Sequence, residues 1–365
     1  MSGLGRGGSG GPLGEYFREF RANPDQPNGG GRRRGSGRGN GPGPGVVGGE
    51  PTAVPPAEFA SYYGRPVVKA PVWRHDIPAY LFTGGLAAGT ALLAAGADLT
   101  GRPALRRAGR LGALAAVGAS TYFLVNDLGR PARFHHMLRV FKPTSPMSMG
   151  TWILAAFGPA AGLAAVSEIA PALPRNGGLG VARRLLPPVG RVAGLASAVA
   201  APALATYTGV LLADTAMPAW HDAYPDLPFV FAGSALVAGA GAGLVAVPTA
   251  QAGPAVRLAV AGAVIEKLAE RRIARMGLTG EPYRVGRSAR LVQAGQLLLA
   301  AGTAGALLGR RSRALSALSG AALLASSVLT RFGVFSAGVA SARDPKYTVL
   351  PQRERREKRG AGVGP

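Results

Sequence analysis

Residues 78–97 of this chain, PAYLFTGGLAAGTALLAAGA, form a twenty-residue stretch without a single charged side chain. An α-helix rises about 1.5 Å per residue, so a helix of this length matches the thickness of a bilayer's hydrocarbon core. The run is continuously apolar and rich in alanine and leucine. It lacks the alternation of apolar and polar residues found in membrane β-barrel strands. It therefore predicts a helix that crosses a membrane.

Seven further stretches share this length and apolarity. They cover residues 109–128, 149–171, 191–213, 228–250, 254–274, 289–309 and 313–335. The stretch 254–274 is the most polar, because its second half runs into the charged sequence VIEKLAERRIARM. Small residues four apart, such as Gly85 with Gly89 and Gly158 with Gly162, would let helix backbones approach closely. The pattern predicts an all-α polytopic membrane protein with eight transmembrane helices.

Composition restricts the functions that this chain can have. Charged residues make up 16% of it, below the roughly 25% of soluble domains, yet its net charge is +23. A basic chain can bind nucleic acid, but here the arginines flank apolar segments, which indicates membrane topology rather than a nucleic-acid partner. The absence of cysteine excludes disulfides and cysteine-ligated zinc or iron–sulfur sites from this chain.

Three regions follow from the changes in composition along the chain. Residues 1–70 are rich in Gly, Pro and Arg, as in GGGRRRGSGRGNGPGPG, and we expect a disordered tail too poor in apolar residues to form a core. Nothing at the N-terminus resembles a secretory signal peptide. Residues 71–342 form the predicted transmembrane domain, and residues 343–365 form a basic C-terminal tail.

The rarer side chains are distributed unevenly between the two sides of the predicted bilayer. We call the side that holds the N-terminus the first face; with eight spans it also receives the C-terminus. The loops on the two faces are about equally basic, but the basic tails favour a cytoplasmic first face. All histidines and tryptophans fall on the first face, which indicates that the chemistry or a partner lies there: His75, His135, His136, His221, Trp73, Trp152 and Trp220. No histidine lies within a predicted span, so a haem-bearing cytochrome is not expected.

Several polar residues on or near this face are candidates for a partner surface or a proton path. Asp127 and Arg130 lie in DLGRP, a helix-stop sequence with Gly followed by Pro, so a structural role is the alternative for both. His135 and His136 are candidates for docking a partner; the alternative is that they are exposed to solvent without a function. Asp214, Trp220 and His221 belong to a loop with three acids and no bases.

Two charged residues fall inside predicted spans. Intramembrane ionisable groups are costly and tend to be functional. Glu266 and Arg331 are therefore candidates for a proton path, with snorkelling towards a helix end as the alternative.

Four ordered motifs carry a resemblance to a known family. They are YLFTGGLAAGT, DLGRPARFHHMLRVFKPTSPMSMGTW, YTGVLLADTAMPAW and FSAGVASARDPKYTVLPQR. Together they resemble the NrfD/PsrC family, the membrane anchor subunits of polysulfide reductase-type molybdoenzymes. The resemblance implies eight helices in two four-helix bundles and no metal cofactor in this subunit. It also implies a quinone site near the face where a ferredoxin-like 4Fe-4S subunit docks, which in turn serves a molybdopterin catalytic subunit.

The same resemblance suggests which residues bind the quinone. The family uses a histidine just before the first span and a tyrosine late in the fourth, which here are similar to His75 and Tyr207. A quinone carbonyl needs a hydrogen-bond donor, histidine titrates near neutral pH, and a tyrosine hydroxyl donates or accepts. The asparagine that the family has just upstream of its histidine has no clear equivalent, and Asp76 is expected to take over a polar role.

The predicted protein is a non-catalytic or quinone-reactive subunit in the plasma membrane of a prokaryote. It would pass electrons between an iron–sulfur subunit and membrane menaquinone or ubiquinone, with no haem or iron–sulfur cluster of its own. Two alternatives stay open. An ion or solute transporter would use the intramembrane charges as its path, although no inverted repeat is apparent. A passive membrane anchor would lack quinone chemistry.

Overall fold

The computed structural model describes residues 66–360, apart from the side chains of Arg310 and of residues 357–360. This part of the chain is built from α-helices and short 3₁₀ segments, and it contains no β-strand. The all-α prediction is confirmed. Most of the predicted N-terminal tail, residues 1–65, and the last five residues of the C-terminal tail lie outside the described residues.

Eight helices of twenty or more residues follow one another along the described chain, and a shorter ninth ends it. The long helices are α1 (Asp76–Leu99), α2 (Pro103–Asn126), α3 (Pro146–Val166), α4 (Gly177–Ala213), α5 (Leu227–Ala246), α6 (Gly253–Ile273), α7 (Gly286–Leu308) and α8 (Arg313–Arg343); α9 is Lys346–Gly360. Helices α1, α3, α5 and α7 begin at the first face, and α2, α4, α6 and α8 end there.

Turn chemistry in the sequence explains where several helices begin and end. Gly101, with a φ of 65°, connects α1 to α2, and Gly129, with a φ of 69°, follows α2 in DLGRP; glycine adopts such left-handed angles at little cost. Proline occupies the first turn of α2 and α3, where its missing N–H costs nothing. Ser145 is the N-cap residue of α3.

Two helices extend well beyond the predicted spans. Helix α4 begins at Gly177 rather than near residue 191, and α8 continues to Arg343 rather than ending near 335. Hydropathy identifies only the apolar part of a helix. The backbone hydrogen bonds of the helix continue through polar residues such as Arg183. The 37 residues of α4 are about 55 Å long, which exceeds the thickness of a membrane.

Seven of the long helices are long and apolar enough to cross a membrane by length and composition. They are α1, α2, α3 with its 3₁₀ extension to Ala172, α4, α5, α7 and α8. Helix α6, the sixth predicted span, does not qualify, because it contains Arg257, Glu266, Lys267, Glu270, Arg271 and Arg272. The structure therefore supports a multi-helix membrane protein without confirming an eighth span.

Helix α1 lies at the centre of the packing, against α2, α4 and α5, and α5 in turn packs against α6 and α8. At the α1–α5 crossing, a Cβ on Gly89 would overlap the Ala235 carbonyl oxygen, so the two backbones touch. The predicted backbone approach is confirmed at Gly89, whereas a Cβ on Gly85 would meet the side chain of Arg331. For Gly158 the prediction is wrong, since a Cβ there would meet nothing within 4 Å, and at Gly162 it would meet only the Leu114 Cδ1 at 4.0 Å.

Candidate functional site at the first face

His75 and Asp76 stand at the entrance of α1 on the first face. His75 is the N-cap residue and Asp76 is the first residue of the helix, with His75 Nε2 lying 3.6 Å from Asp76 Oδ1. The His75 side chain is 43% exposed and that of Asp76 only 9%. The two groups are close enough for an electrostatic contact. The arrangement places an exposed imidazole beside a buried carboxyl group.

A third side chain completes this arrangement. Asn126, the last residue of α2, donates a hydrogen bond from Nδ2 to Asp76 Oδ2 at 3.0 Å. The His75–Asp76–Asn126 chain thus joins the start of α1 to the end of α2. Sequence reasoning missed Asn126, although its place directly before DLGRP at a helix end was a usable signal.

Asp127 lies beside this chain as the C-cap residue of α2, as its helix-stop sequence indicated. Partial burial raises its pKa above the ordinary value, while a backbone hydrogen bond from Arg74 and the charges of Arg74 and His75 oppose that rise. The negative charge of Asp76 adds to the rise. Asp127 is therefore coupled electrostatically to the His75–Asp76 pair.

Tyr207 lies on α4, six residues before the helix ends at Ala213. That spacing puts it about 9 Å below the helix end. The residue is 7% exposed, and its ring packs against Gly150 on α3, where a Cβ would overlap it. Its hydroxyl is buried and has no hydrogen-bond partner within residues 66–360. An unsatisfied buried hydroxyl costs about 1–3 kcal/mol, so it marks a donor available to a bound acceptor.

Helices α1 and α4 pack directly against each other, and α3 packs against α4. The His75–Asp76–Asn126 chain and Tyr207 therefore belong to the same group of helices, both near the first face. His75 is exposed at this face, whereas Asp76 and Tyr207 are buried. The arrangement combines an unpartnered buried hydroxyl with an exposed imidazole closer to the surface.

The long loop between α2 and α3 forms a shaped rim on this face. It contains a 3₁₀ helix, Pro131–Leu138, on which His135 and His136 are exposed with ring centroids 4.4 Å apart. The Val140 carbonyl accepts hydrogen bonds from Ser148 Oγ and Trp152 Nε1, which tie the loop to the start of α3. Arg130 is exposed beside the 3₁₀ helix.

The acidic segment between α4 and α5, residues 214–226, contributes some side chains to the core and others to the surface. Trp220, in the short helix Pro218–His221, is fully buried, and its Nε1 donates to the Val334 carbonyl at 2.7 Å. Its ring stacks on Trp73 and lies beside Phe335. Trp220 thus pins the segment before α1 onto α8, and its side chain does not reach the surface. Asp214 and His221 are exposed on the same segment.

Glu266 and Arg331 are both fully buried, so neither snorkels to a helix end. Glu266 Oε1 accepts a hydrogen bond from Thr330 Oγ1 at 2.9 Å, and Arg331 Nη2 donates to the Phe231 carbonyl at 2.7 Å. The Arg331 guanidinium also lies 3.9 Å from the centroid of the Phe231 ring. Glu266 Oε2 and Arg331 Nε and Nη1 find no hydrogen-bond partner in the described part of the chain.

Two further polar features escaped sequence reasoning. Glu270 lies one turn after Glu266 and lines a cavity of about 230 Å³ together with Thr330 and Gln296; the four-residue spacing was a usable signal. On the opposite side of the molecule, Asp98, Arg106, Arg110 and Glu168 form an ion network. No sequence signal identified it, since its members come from three separate segments.

Within residues 66–360, no group of three or more His, Cys, Asp and Glu side chains could hold a metal ion. No curated protein matches the chain. The family model described as polysulphide reductase, NrfD, matches residues 66–269, which is 204 of the 365 residues. Together with the seven apolar helices, this match identifies the chain as a membrane protein of the polysulphide reductase NrfD family.

Proposed function

We propose that this chain is the quinone-interacting membrane subunit of a molybdopterin oxidoreductase complex, passing electrons between an iron–sulfur subunit and the quinone pool. The observation that carries the proposal is the Tyr207 hydroxyl, which is buried below the first face and lacks a hydrogen-bond partner in the described chain. A quinone carbonyl is the acceptor that such a donor fits. Family membership supports the same class of ligand.

The residues at the site fit a menaquinone or ubiquinone headgroup. Tyr207 would hold one carbonyl oxygen at depth, and His75 would exchange a proton with solvent at the rim. Asp76 and Asn126 would keep the imidazole in position through their hydrogen bond. When bound, the quinone would supply a two-electron, two-proton redox couple. The chain contains no cysteine, so the iron–sulfur cluster that exchanges electrons with the quinone would belong to a partner subunit.

The exposed rim around this site is the proposed docking surface for a ferredoxin-like 4Fe-4S subunit, which would connect to the molybdopterin subunit. Arg130, His135, His136, Asp214 and His221 are all exposed there. The rim presents both basic and acidic side chains, which suits a specific protein contact. We place this face in the cytoplasm of a prokaryote, because the basic tails favour that orientation.

We further propose that α6 is an eighth span and that α1–α4 and α5–α8 are two four-helix bundles. Helix α6 has 21 residues and packs against α5 and α7, which supports this arrangement. Its most central acid, Glu266, is fully buried among neighbouring helices rather than facing lipid. Five of its six charges come in its last eight residues, near the first face.

Glu266 and Arg331 would serve a proton path within the second bundle. The cavity lined by Glu270, Tyr283 and Thr330 lies where α6 ends and α7 begins, near the first face. From Thr330 the hydrogen bond to Glu266 Oε1 continues the path inward. A carboxylate with one unpartnered oxygen beside a hydroxyl is suited to pass a proton.

The test uses the complex purified from its native membrane and a fluorescent quinone-analogue inhibitor. Tyr207→Phe should weaken inhibitor binding at least about fivefold, the equivalent of one lost hydrogen bond, while the complex still assembles. Tyr224→Phe is the matched control, because Tyr224 is 66% exposed on the same face. Equal binding by both variants would remove Tyr207 from the site. If the wild-type complex failed to bind, a passive anchor would be favoured, whereas solute uptake by the reconstituted chain alone would favour a transporter.

A further inference from the structure

A network of ion pairs holds the helix ends together on the side opposite the first face. Glu168 accepts hydrogen bonds from Arg106 Nε at 2.8 Å and from Arg110 Nη1 at 2.9 Å. Asp98, next to the end of α1, lies 3.5 Å from Arg106 and 3.4 Å from Arg110. These two acids balance these two arginines and connect α1, α2 and the segment after α3.

Arg191 leaves this network with a surplus positive charge. Its Nε lies 3.7 Å from an Asp98 oxygen that Arg110 already contacts, and its side chain is 61% exposed. The surrounding chain adds to the charge, because residues 169–213 contain four arginines and no acid. The opposite face therefore presents an arginine cluster with one more cation than its acids neutralise.

These side chains line a cavity rather than a flat surface. The cavity has a volume of about 360 Å³, and Arg106, Arg110 and Arg191 lie in its wall with Ser167, Glu168 and Pro188. It lies near the connection between α1 and α2, where Asp98 and Arg106 line it. A pocket of this size and charge accommodates a phosphate group rather than a large substrate.

A second, wholly apolar groove adjoins the cavity. The groove has a volume of about 540 Å³, lies between α3 and α4, and includes Leu163, Val189 and Val192. Pro188 lines both spaces, so the basic cavity and the apolar groove lie next to each other. Leu163, Val189 and Val192 are 42%, 41% and 69% exposed, so the groove opens on the outer surface of the helices, where the bilayer would lie.

We propose that this combined site binds an anionic phospholipid, with its phosphate beside Arg191 and an acyl chain in the α3–α4 groove. Arginine binds phosphate oxygens through charge-assisted hydrogen bonds, and basic pockets between transmembrane helices bind anionic lipid headgroups. Free phosphate would use the cavity but gain nothing from the groove. The lipid would join α3 and α4 at the end remote from the site of Tyr207.

Native mass spectrometry of the full-length chain in detergent tests the proposal. Phosphatidylglycerol should bind more tightly than phosphatidylcholine with the same acyl chains. Arg191→Gln should weaken phosphatidylglycerol binding about fivefold and phosphatidylcholine binding less, because the choline cation already opposes the attraction to the arginine. Arg311→Gln is the matched control, because Arg311 is exposed on the same face and outside the cavity lining. Ala160→Phe should fill the groove and weaken both lipids without changing the binding of inorganic phosphate.

Three results would overturn the proposal. Equal binding of the two lipids would remove the anionic preference, and equal effects of Arg191→Gln and Arg311→Gln would remove the arginine cavity as the headgroup site. If Ala160→Phe left phosphatidylglycerol binding intact while phosphate binding depended on Arg191, the cavity would be a free-anion site. Thermal melting of each variant in detergent checks that it is folded.

Discussion

The aromatic ring of Tyr207 lies so close to the backbone of Gly150 that any Cβ at position 150 would overlap it. Helix α3 thereby sets the position of the one buried tyrosine hydroxyl near the first face that lacks a partner in the described chain. Because this contact joins α3 to the end of α4, the proposed quinone site depends on helix packing as well as on side-chain chemistry.

Gly150→Ala should therefore displace the Tyr207 ring. Overpacking of this kind costs about 1–3 kcal/mol, and we expect weaker quinone-analogue binding together with a lower melting temperature. The measurements are inhibitor titration and thermal melting of the purified complex. Gly158→Ala on the same helix is the control, since a Cβ there meets nothing within 4 Å. Similar behaviour of the two variants would contradict the inferred contact.

Asn126→Ala should disturb the rim of the site by removing the hydrogen bond to Asp76. A hydrogen bond to a charged group contributes about 1.5 kcal/mol at the low end, so quinone-linked turnover should fall about tenfold. Steady-state kinetics with a soluble quinol measures the effect. Asn176→Ala is the control, because Asn176 makes no side-chain cap hydrogen bond at the start of α4. A drop of equal size in the control would mean that the loss is nonspecific.

Glu266→Gln tests the proposed proton path while keeping the shape of the side chain and an acceptor for Thr330 Oγ1. Turnover should fall about a hundredfold, the lower end of the contribution of a positioned proton-transfer group, with assembly unchanged. Quinone-linked turnover in proteoliposomes, followed together with a pH-sensitive dye, reports the loss. The control is Glu354→Gln on the exposed surface of α9. Unchanged turnover and proton uptake would exclude Glu266 from the path.

Trp220→Ala should destabilise the fold rather than alter partner docking. The residue is fully buried against Trp73 and Phe335, and truncating such an aromatic costs about 3–5 kcal/mol. Thermal melting in detergent should show a large decrease, and Trp220→Phe a smaller one. Trp152→Phe, at a residue 37% exposed, provides the comparison. Normal melting of Trp220→Ala with lost binding of the iron–sulfur subunit would instead assign Trp220 to docking.

Gly89→Ala should separate α1 from α5, because the new Cβ would overlap the Ala235 carbonyl oxygen. The backbone contact leaves no flexible side chain to move aside, so we expect a loss of about 1–3 kcal/mol in stability. Gly96→Ala on the same helix is the control, as a Cβ at position 96 meets nothing within 4 Å. Equal melting temperatures would show that the crossing tolerates a wider spacing.

Much of the architecture follows from the sequence alone. Seven of the eight apolar stretches form helices that are long and apolar enough to cross a membrane. The exception is the sixth stretch, α6, which is also the most polar of the eight in sequence. The positions of His75 at a helix entrance and Tyr207 six residues before a helix end were also predictable, because both depend only on local apolar length and turn residues.

The tertiary structure decided which polar groups meet. Asn126 reaches Asp76 across 50 residues, and Arg110 reaches Glu168 across 58. It also decided that Trp220 belongs to the core and that Glu266 and Arg331 are buried instead of snorkelling. Hydropathy measures the free energy of transferring a segment from water, which depends only on residues that are neighbours in sequence. The contacts between polar groups depend instead on which helix faces pack together. That choice is made by side chains far apart in the chain, so it becomes visible only when the helices are assembled.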